Sequence, residues 1–198
     1  MPDSSLMPAL SEAMAFAEKH RSCAKARTWM ANWTTLAEAW DNCYIPDWLI
    51  GARINEGFDD TATLRVWACW CVRQVAHLMT APESRQALDM AEQFVEGKAT
   101  AEELADVAGP AARVSAEASW PTPAAAWAAR AAAELAALRI VPAARAATEA
   151  LAWTSEDRVA AWPGIRMVQA DKLRELIHPH CKGGPPPEES NRRSAAAV

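Results

Sequence analysis

Three residues near the end of the chain, His178, His180 and Cys181, carry donor atoms suited to zinc. Imidazole and thiolate are proper ligands, but a structural zinc site takes four donors on a fixed backbone. These three stand where a helical pattern gives way to KGGPPPEESNRRSAAAV, which reads as a flexible tail over 179–198. A frayed helix end with two solvated histidines is the plainer account, so no metal and no cofactor is expected. Cys69-x-Cys71 is not a metal pair either, because residues two apart on a helix point roughly 200° apart. Both read as buried structural thiols. His77 lies six and eight residues from them, poor separations for a nucleophile and its base on one helix. His20, beside Lys19 and Arg21, falls in a connector.

Carboxylates are more plentiful than histidines. No helical Glu-x-x-His metal motif is read in the sequence, so a di-iron bundle is set aside. No glycine-rich phosphate loop, nucleophile elbow or zinc-protease motif occurs, so enzyme activity is not expected. Solvated helix faces account for most of the acids. Glu92 and Glu96, with Glu102, Glu103 and Asp106 beyond Gly97, nevertheless form one candidate acidic patch for a protein partner.

Ten tryptophans against one tyrosine and three phenylalanines form a second reservoir of contacts. Trp29, Trp40, Trp48, Trp67 and Trp70 fall at periodic apolar positions and are expected in the core. Trp33, Trp120 and Trp162 fall at helix ends or connectors. Tryptophan is enriched at binding hot spots, so these three join the candidate contact residues, with packing at the core rim as the competing account.

The elements that must position these residues are helices. A first helix is expected over about 5–19, a second capped by Ser22 and a third capped by Thr34. Pro46 suits the first turn of a fourth, stopped by Gly57. From Asp60 to Met79, Leu64, Trp67, Cys71, Val75 and Leu78 share one face, yet apolar residues cover the other directions too. Such a helix is packed on several sides and sits centrally. Pro82 opens another helix that Gly97 stops. Thr100 with Glu103 forms a capping box for the next. Between Ala101 and Ala152, 23 of 52 residues are alanine, the strongest helix former. Prolines 110, 121, 123 and 142 divide that stretch into about three helices, and Trp162-Pro163-Gly164 reads as a break before a last helix ending near His178.

The fold expected is therefore all-α, a multi-helix bundle of successive helical hairpins with an alanine-rich C-terminal half. One domain over 1–178 is expected, with a Trp/Cys-rich half (1–98) and an alanine-rich half (99–178). Hydrophobic residues at 51% exclude global disorder, and a net charge of −5 disfavours a phosphate-binding face. The N-terminus lacks a basic, apolar leader pattern. The longest strongly apolar run, Val66 to Val72, is far short of the roughly 20 residues that span a bilayer. Five cysteines, most in apolar helical patterns, suit a reducing compartment. A cytoplasmic location with no membrane or nucleic-acid partner is expected.

The layout from Cys23 to Thr100 carries a resemblance. It runs LAEAWDNC, PDWLIGARI, RVWACWCVRQVAHLM and PESRQALDMAEQFVEGKATAEEL, followed by the alanine run and a closing QADKLRELI. It resembles the alanine-rich helical proteins of tailed phages and bacteria, and is similar to the immunity-five-like immunity proteins. Trp40, Asp47-Trp48, Arg85, Ala87, Ala91 and Gly97 carry the likeness, over about four-fifths of the chain. The resemblance implies an all-helical fold and a role in genetic conflict, and brings no catalytic residue with it. The expected function is a non-catalytic antagonist that binds a toxin or defence effector, as an immunity protein or a phage-encoded inhibitor such as an anti-CRISPR protein does. A homo-oligomeric structural module, or a carboxylate- and metal-dependent enzyme, are the alternatives.

Overall fold

The computed structural model describes residues 10–117 and 121–177, where ten α-helices and one 3-10 turn form and no strand occurs among the described residues. The all-helical expectation holds. The described residues fall into two compact units, 10–42 and 43–177, and the three helices of the first close an apolar cluster among themselves.

In the first unit, α1 (Glu12–Lys19) starts where Ser11 Oγ accepts the Met14 N–H at 3.2 Å. It buries Ala13 and Ala17 with Met30 of α2 (Ala24–Met30) and Ala39 of α3 (Leu36–Asn42). Phe16, Trp29, Trp33 and Leu36 rim that cluster. Cys23, not Ser22, precedes α2, with no side-chain cap. Residues 1–9, where the first helix was expected to begin, lie outside the described residues.

In the second unit, α4 (Pro46–Asn55) begins on proline as expected, and Gly57 follows it at φ +83°. Helix α5 (Thr61–Arg73) continues into a 3-10 turn, Ala76–Leu78. Then come α6 (Pro82–Val95), α7 (Ala101–Ser115), α8 (Pro123–Ala136), α9 (Ile140–Ala152) and α10 (Arg158–Leu176). The capping box forms: Thr100 Oγ1 accepts the Glu103 N–H at 3.2 Å, and Glu103 accepts the Thr100 N–H at 2.7 Å.

Helix α5 is central, packed against α6, α8, α9 and α10. Leu64, Trp67, Cys71, Val72 and Val75 are buried, and Trp67 is 0% exposed. Alanine does the corresponding work in α8 and α9, which pack against each other and bury Ala128, Ala131, Ala132, Ala143 and Ala147. Small side chains let backbones approach, so two whole helices contribute to the core with few large residues. Larger side chains in these helices are then available for other purposes.

Helix α10 corrects one expectation. It runs unbroken through Trp162-Pro163-Gly164. Asp157 Oδ1 caps it by accepting the Val159 and Ala160 N–H groups. Pro163 and Gly164 are exposed, and Val159, whose carbonyl the proline cannot reach, is exposed too. Water can therefore satisfy the acceptor that a helical proline leaves open. Pro110 likewise lies inside α7.

Candidate functional site

Four helices of the second unit surround a cleft of about 580 Å³. Its chemistry comes from regularly spaced positions in otherwise alanine-rich helices. Trp127, Arg130 and Glu134 recur on one face of α8, and Pro142, Arg145 and Glu149 on one face of α9, with spacings of three and four residues. Trp162 and Arg166 lie one turn apart on α10. Asp47, in the first turn of α4, and Arg139, at the start of α9, complete the charged set.

Asp47 is the hub. Its Oδ2 accepts from Arg145 Nε at 3.1 Å and Nη2 at 2.9 Å, and from Arg166 Nη2 at 2.8 Å. Arg145 is 60% exposed and reaches Oδ2 from the solvent side, whereas Arg166 is 1% exposed. Among the described residues, Nε and Nη1 of Arg166 and Oδ1 of Asp47 are buried without a hydrogen-bond partner. A buried charged group with unmet hydrogen bonds carries a desolvation cost that neutral packing does not.

A second trio repeats the pattern. Glu134 lies 3.6 Å from Arg130 Nε and 3.0 Å from Arg139 Nη1. Two indoles border the cleft: the Arg130 guanidinium stands 5.5 Å from the Trp127 ring, and that of Arg166 stands 5.1 Å from the Trp162 ring. Trp162 is held in place by its own Nε1–H, which donates to Glu149 at 3.1 Å.

Arg166 is positioned by a buried polar network one turn farther along α10. The Trp67 indole donates to the Gln169 carbonyl at 2.8 Å. The Thr148 hydroxyl lies 3.0 Å from Gln169 Oε1 and 3.0 Å from the Ala144 carbonyl, while Gln169 Nε2 donates to that carbonyl at 3.3 Å. Helix α10 is thus pinned to both α5 and α9 by groups that have few alternatives in the core.

The acidic patch takes a different form from its expectation. Arg73, on α5, donates to Glu92 through Nε at 2.8 Å and through Nη2, and to Asp89 at 2.9 Å. Glu96 pairs with Lys98 at 2.6 Å. Glu103 serves the capping box, and those hydrogen bonds from Thr100 lower its pKa. Glu102 and Asp106 are exposed on α7. Three of the five acids therefore have structural partners of their own.

The tryptophan candidates separate. Trp33 packs on the first unit's cluster, its ring tilted by 52° to that of Trp29 at a centroid distance of 5.6 Å. Trp162 borders the cleft. Trp120, His178, His180, Cys181 and the tail 179–198 lie outside the described residues. A lone Glu-x-x-His spacing, Glu175 to His178, escaped the sequence reading; Glu175 pairs with Lys172 at 2.7 Å. No group of three or more His, Cys, Asp or Glu able to hold a metal occurs among the described residues. No helix among them is long and apolar enough to cross a membrane. Burial pushes the Cys69 thiol up to about 12 and raises those of Cys71 and Cys43, while Cys23 is exposed. Buried thiols of that kind are poor nucleophiles.

The sequence reading missed Asp47 as a charge hub and missed Arg130, Glu134, Arg139, Arg145, Glu149 and Arg166 altogether. The one signal was the i, i+4 recurrence of an arginine and a glutamate, Arg130 with Glu134 and Arg145 with Glu149, within alanine-rich helices. No protein-family model matches the chain, and no curated protein and no solved structure matches it.

Proposed function

We propose that this chain is a non-catalytic binding protein that antagonises a protein effector, and that its recognition site is the arginine–tryptophan cleft. The observation that carries this reading is the set of exposed guanidinium groups, Arg130, Arg139 and Arg145, held at the cleft by Glu134 and Asp47 beside the indoles of Trp127 and Trp162. Every carboxylate in the cleft already engages a guanidinium or an indole N–H. That arrangement suits a preorganised recognition surface, in which donors are held ready and little ordering is left for the moment of binding. The resemblance to immunity proteins supplies the biological setting, a toxin or defence effector as partner.

The test compares three forms of the tagged full-length chain in capture of partners from cells, read by mass spectrometry. They are the unsubstituted chain, Arg145→Glu, and the double variant Glu92→Lys with Glu96→Lys. A partner retained by the acid-reversed form and lost by Arg145→Glu supports the cleft. The opposite pattern moves recognition to the exposed acids around α6 and α7, and overturns this reading.

A further inference from the structure

The charges of the cleft are layered. Its carboxylates are recessed, with side-chain exposures of 10% for Glu134 and 18% for Asp47, whereas Arg130, Arg139 and Arg145 are 58–62% exposed. A partner therefore meets guanidinium groups before it meets acids. Two of these cations are held by charge with their donors left over. Arg130 Nε stands 3.6 Å from Glu134, too far for a hydrogen bond. Arg139 Nη1 stands 3.0 Å from Glu134 Oε2, yet that oxygen has no hydrogen-bond partner among the described residues, so the N–H is not aligned on it. Arg145 spends Nε and Nη2 on Asp47, which leaves Nη1 for another acceptor. Incoming carboxylates can accept from all three without breaking an internal hydrogen bond, and charge-assisted bonds of that kind are the strong ones.

The indoles separate an acidic protein segment from a nucleic acid. The Arg130 guanidinium stands over the Trp127 ring and that of Arg166 over the Trp162 ring, so one face of each indole is covered where a base would stack. A phosphate chain also carries its charge past the cleft, along a molecule of net charge −5, whereas a short acidic run ends within it.

We infer that the cleft docks a short acidic segment of a protein partner, its Asp or Glu carboxylates received by Arg130, Arg139 and Arg145. The inference rests on the cleft being the recognition site, and adds the sign and class of what is recognised there. The recessed Glu134 and Asp47 fix where the guanidinium groups stand. Charge complementarity then speeds association and makes binding fall as salt rises.

Fluorescein-labelled hexaglutamate is titrated with the full-length protein and followed by anisotropy, beside labelled hexaglutamine, hexalysine and a six-nucleotide oligouridylate. Hexaglutamate binds saturably, at least about tenfold more tightly than hexaglutamine, the scale of hydrogen bonds to charged groups, and weakens as salt is raised. The double variant Arg130→Gln with Arg145→Gln leaves Glu134 with Arg139 and Asp47 with Arg166, so it stays folded by circular dichroism while losing affinity by about the same factor. Arg145→Gln alone weakens binding too, and carries the comparison if the double variant loses helicity. Arg130→Lys with Arg145→Lys keeps the charges without the planar fork and restores part of the affinity. Arg113→Gln, at an exposed position of α7 outside the cleft lining, leaves binding unchanged. Oligouridylate binding as tightly as hexaglutamate overturns the inference in favour of a nucleic acid. Hexaglutamine or hexalysine binding as well as hexaglutamate overturns it, and so does an equal loss in Arg113→Gln or the absence of saturable hexaglutamate binding. If hexaglutamate fails while partner capture still depends on Arg145, the partner class falls and the recognition site stands.

Discussion

Asp47 brings one formal negative charge to two guanidinium groups, and the consequences differ sharply between them. Arg166 is enclosed by α4, α9 and α10, so its charge has little water to fall back on, whereas Arg145 is mostly solvated. Replacing Asp47 with Asn keeps the shape and removes the counter-charge. The expected cost is about 3–5 kcal/mol, because the buried cation is left uncompensated. Arg145→Ala removes an exposed partner of the same carboxylate and is expected to cost no more than about 1 kcal/mol. Urea unfolding of the two variants measures both; equal losses would show that Arg166 is not the buried partner of Asp47. None of this hub was legible in the sequence. Asp47 stands 98 residues from Arg145 and 119 from Arg166, and nothing in a single sequence ties three such isolated charges together. Local signals fared better. The Thr100/Glu103 capping box and the stops at Gly57 and Gly97 depend on neighbours within a turn, and each forms as expected.

At the scale of elements, the reading of α5 as a central helix succeeded because burial on several sides leaves a pattern in the helix's own residues. The reading of α10 failed because Pro163 and Gly164 were weighed by type alone. Their effect depends on whether the opened carbonyl is wet, and here it belongs to an exposed turn. The joint between these two helices is the Trp67–Gln169 contact, and it separates packing from polarity. Trp67→Ala opens a large cavity and is expected to cost about 3–5 kcal/mol. Trp67→Phe keeps most of the volume but leaves the buried Gln169 carbonyl without its indole donor, an expected loss of about 1–3 kcal/mol. Beyond stability, Trp67→Phe tests whether α5 helps to aim Arg166, which lies one turn before Gln169. A folded Trp67→Phe variant should therefore bind cleft ligands less well than the unsubstituted protein. Unchanged stability for Trp67→Ala would place that indole outside the core and undo the description of α5.

Over the whole molecule, the net charge of −5 described the average surface and hid a cleft of opposite local sign. The division of the described residues into 10–42 and 43–177 has unequal consequences for stability. Residues 43–177 contain the central helix, the alanine-packed pair α8 and α9, the Trp67–Gln169–Thr148 network and every residue of the cleft. A segment of that length is within the usual range of autonomous domains. Residues 10–42 bury only Ala13, Ala17, Met30 and Ala39 in their own cluster. Chains near or below about 40 residues rarely bury enough surface to fold without a disulfide, a metal or a partner. Expressed alone, residues 43–177 are therefore expected to unfold cooperatively, with a helical circular-dichroism spectrum. Residues 1–42 alone are expected to show no cooperative transition. A 43–177 fragment that melts without cooperativity and binds a hydrophobic dye would mean that its core is incomplete on its own, and would overturn this expectation.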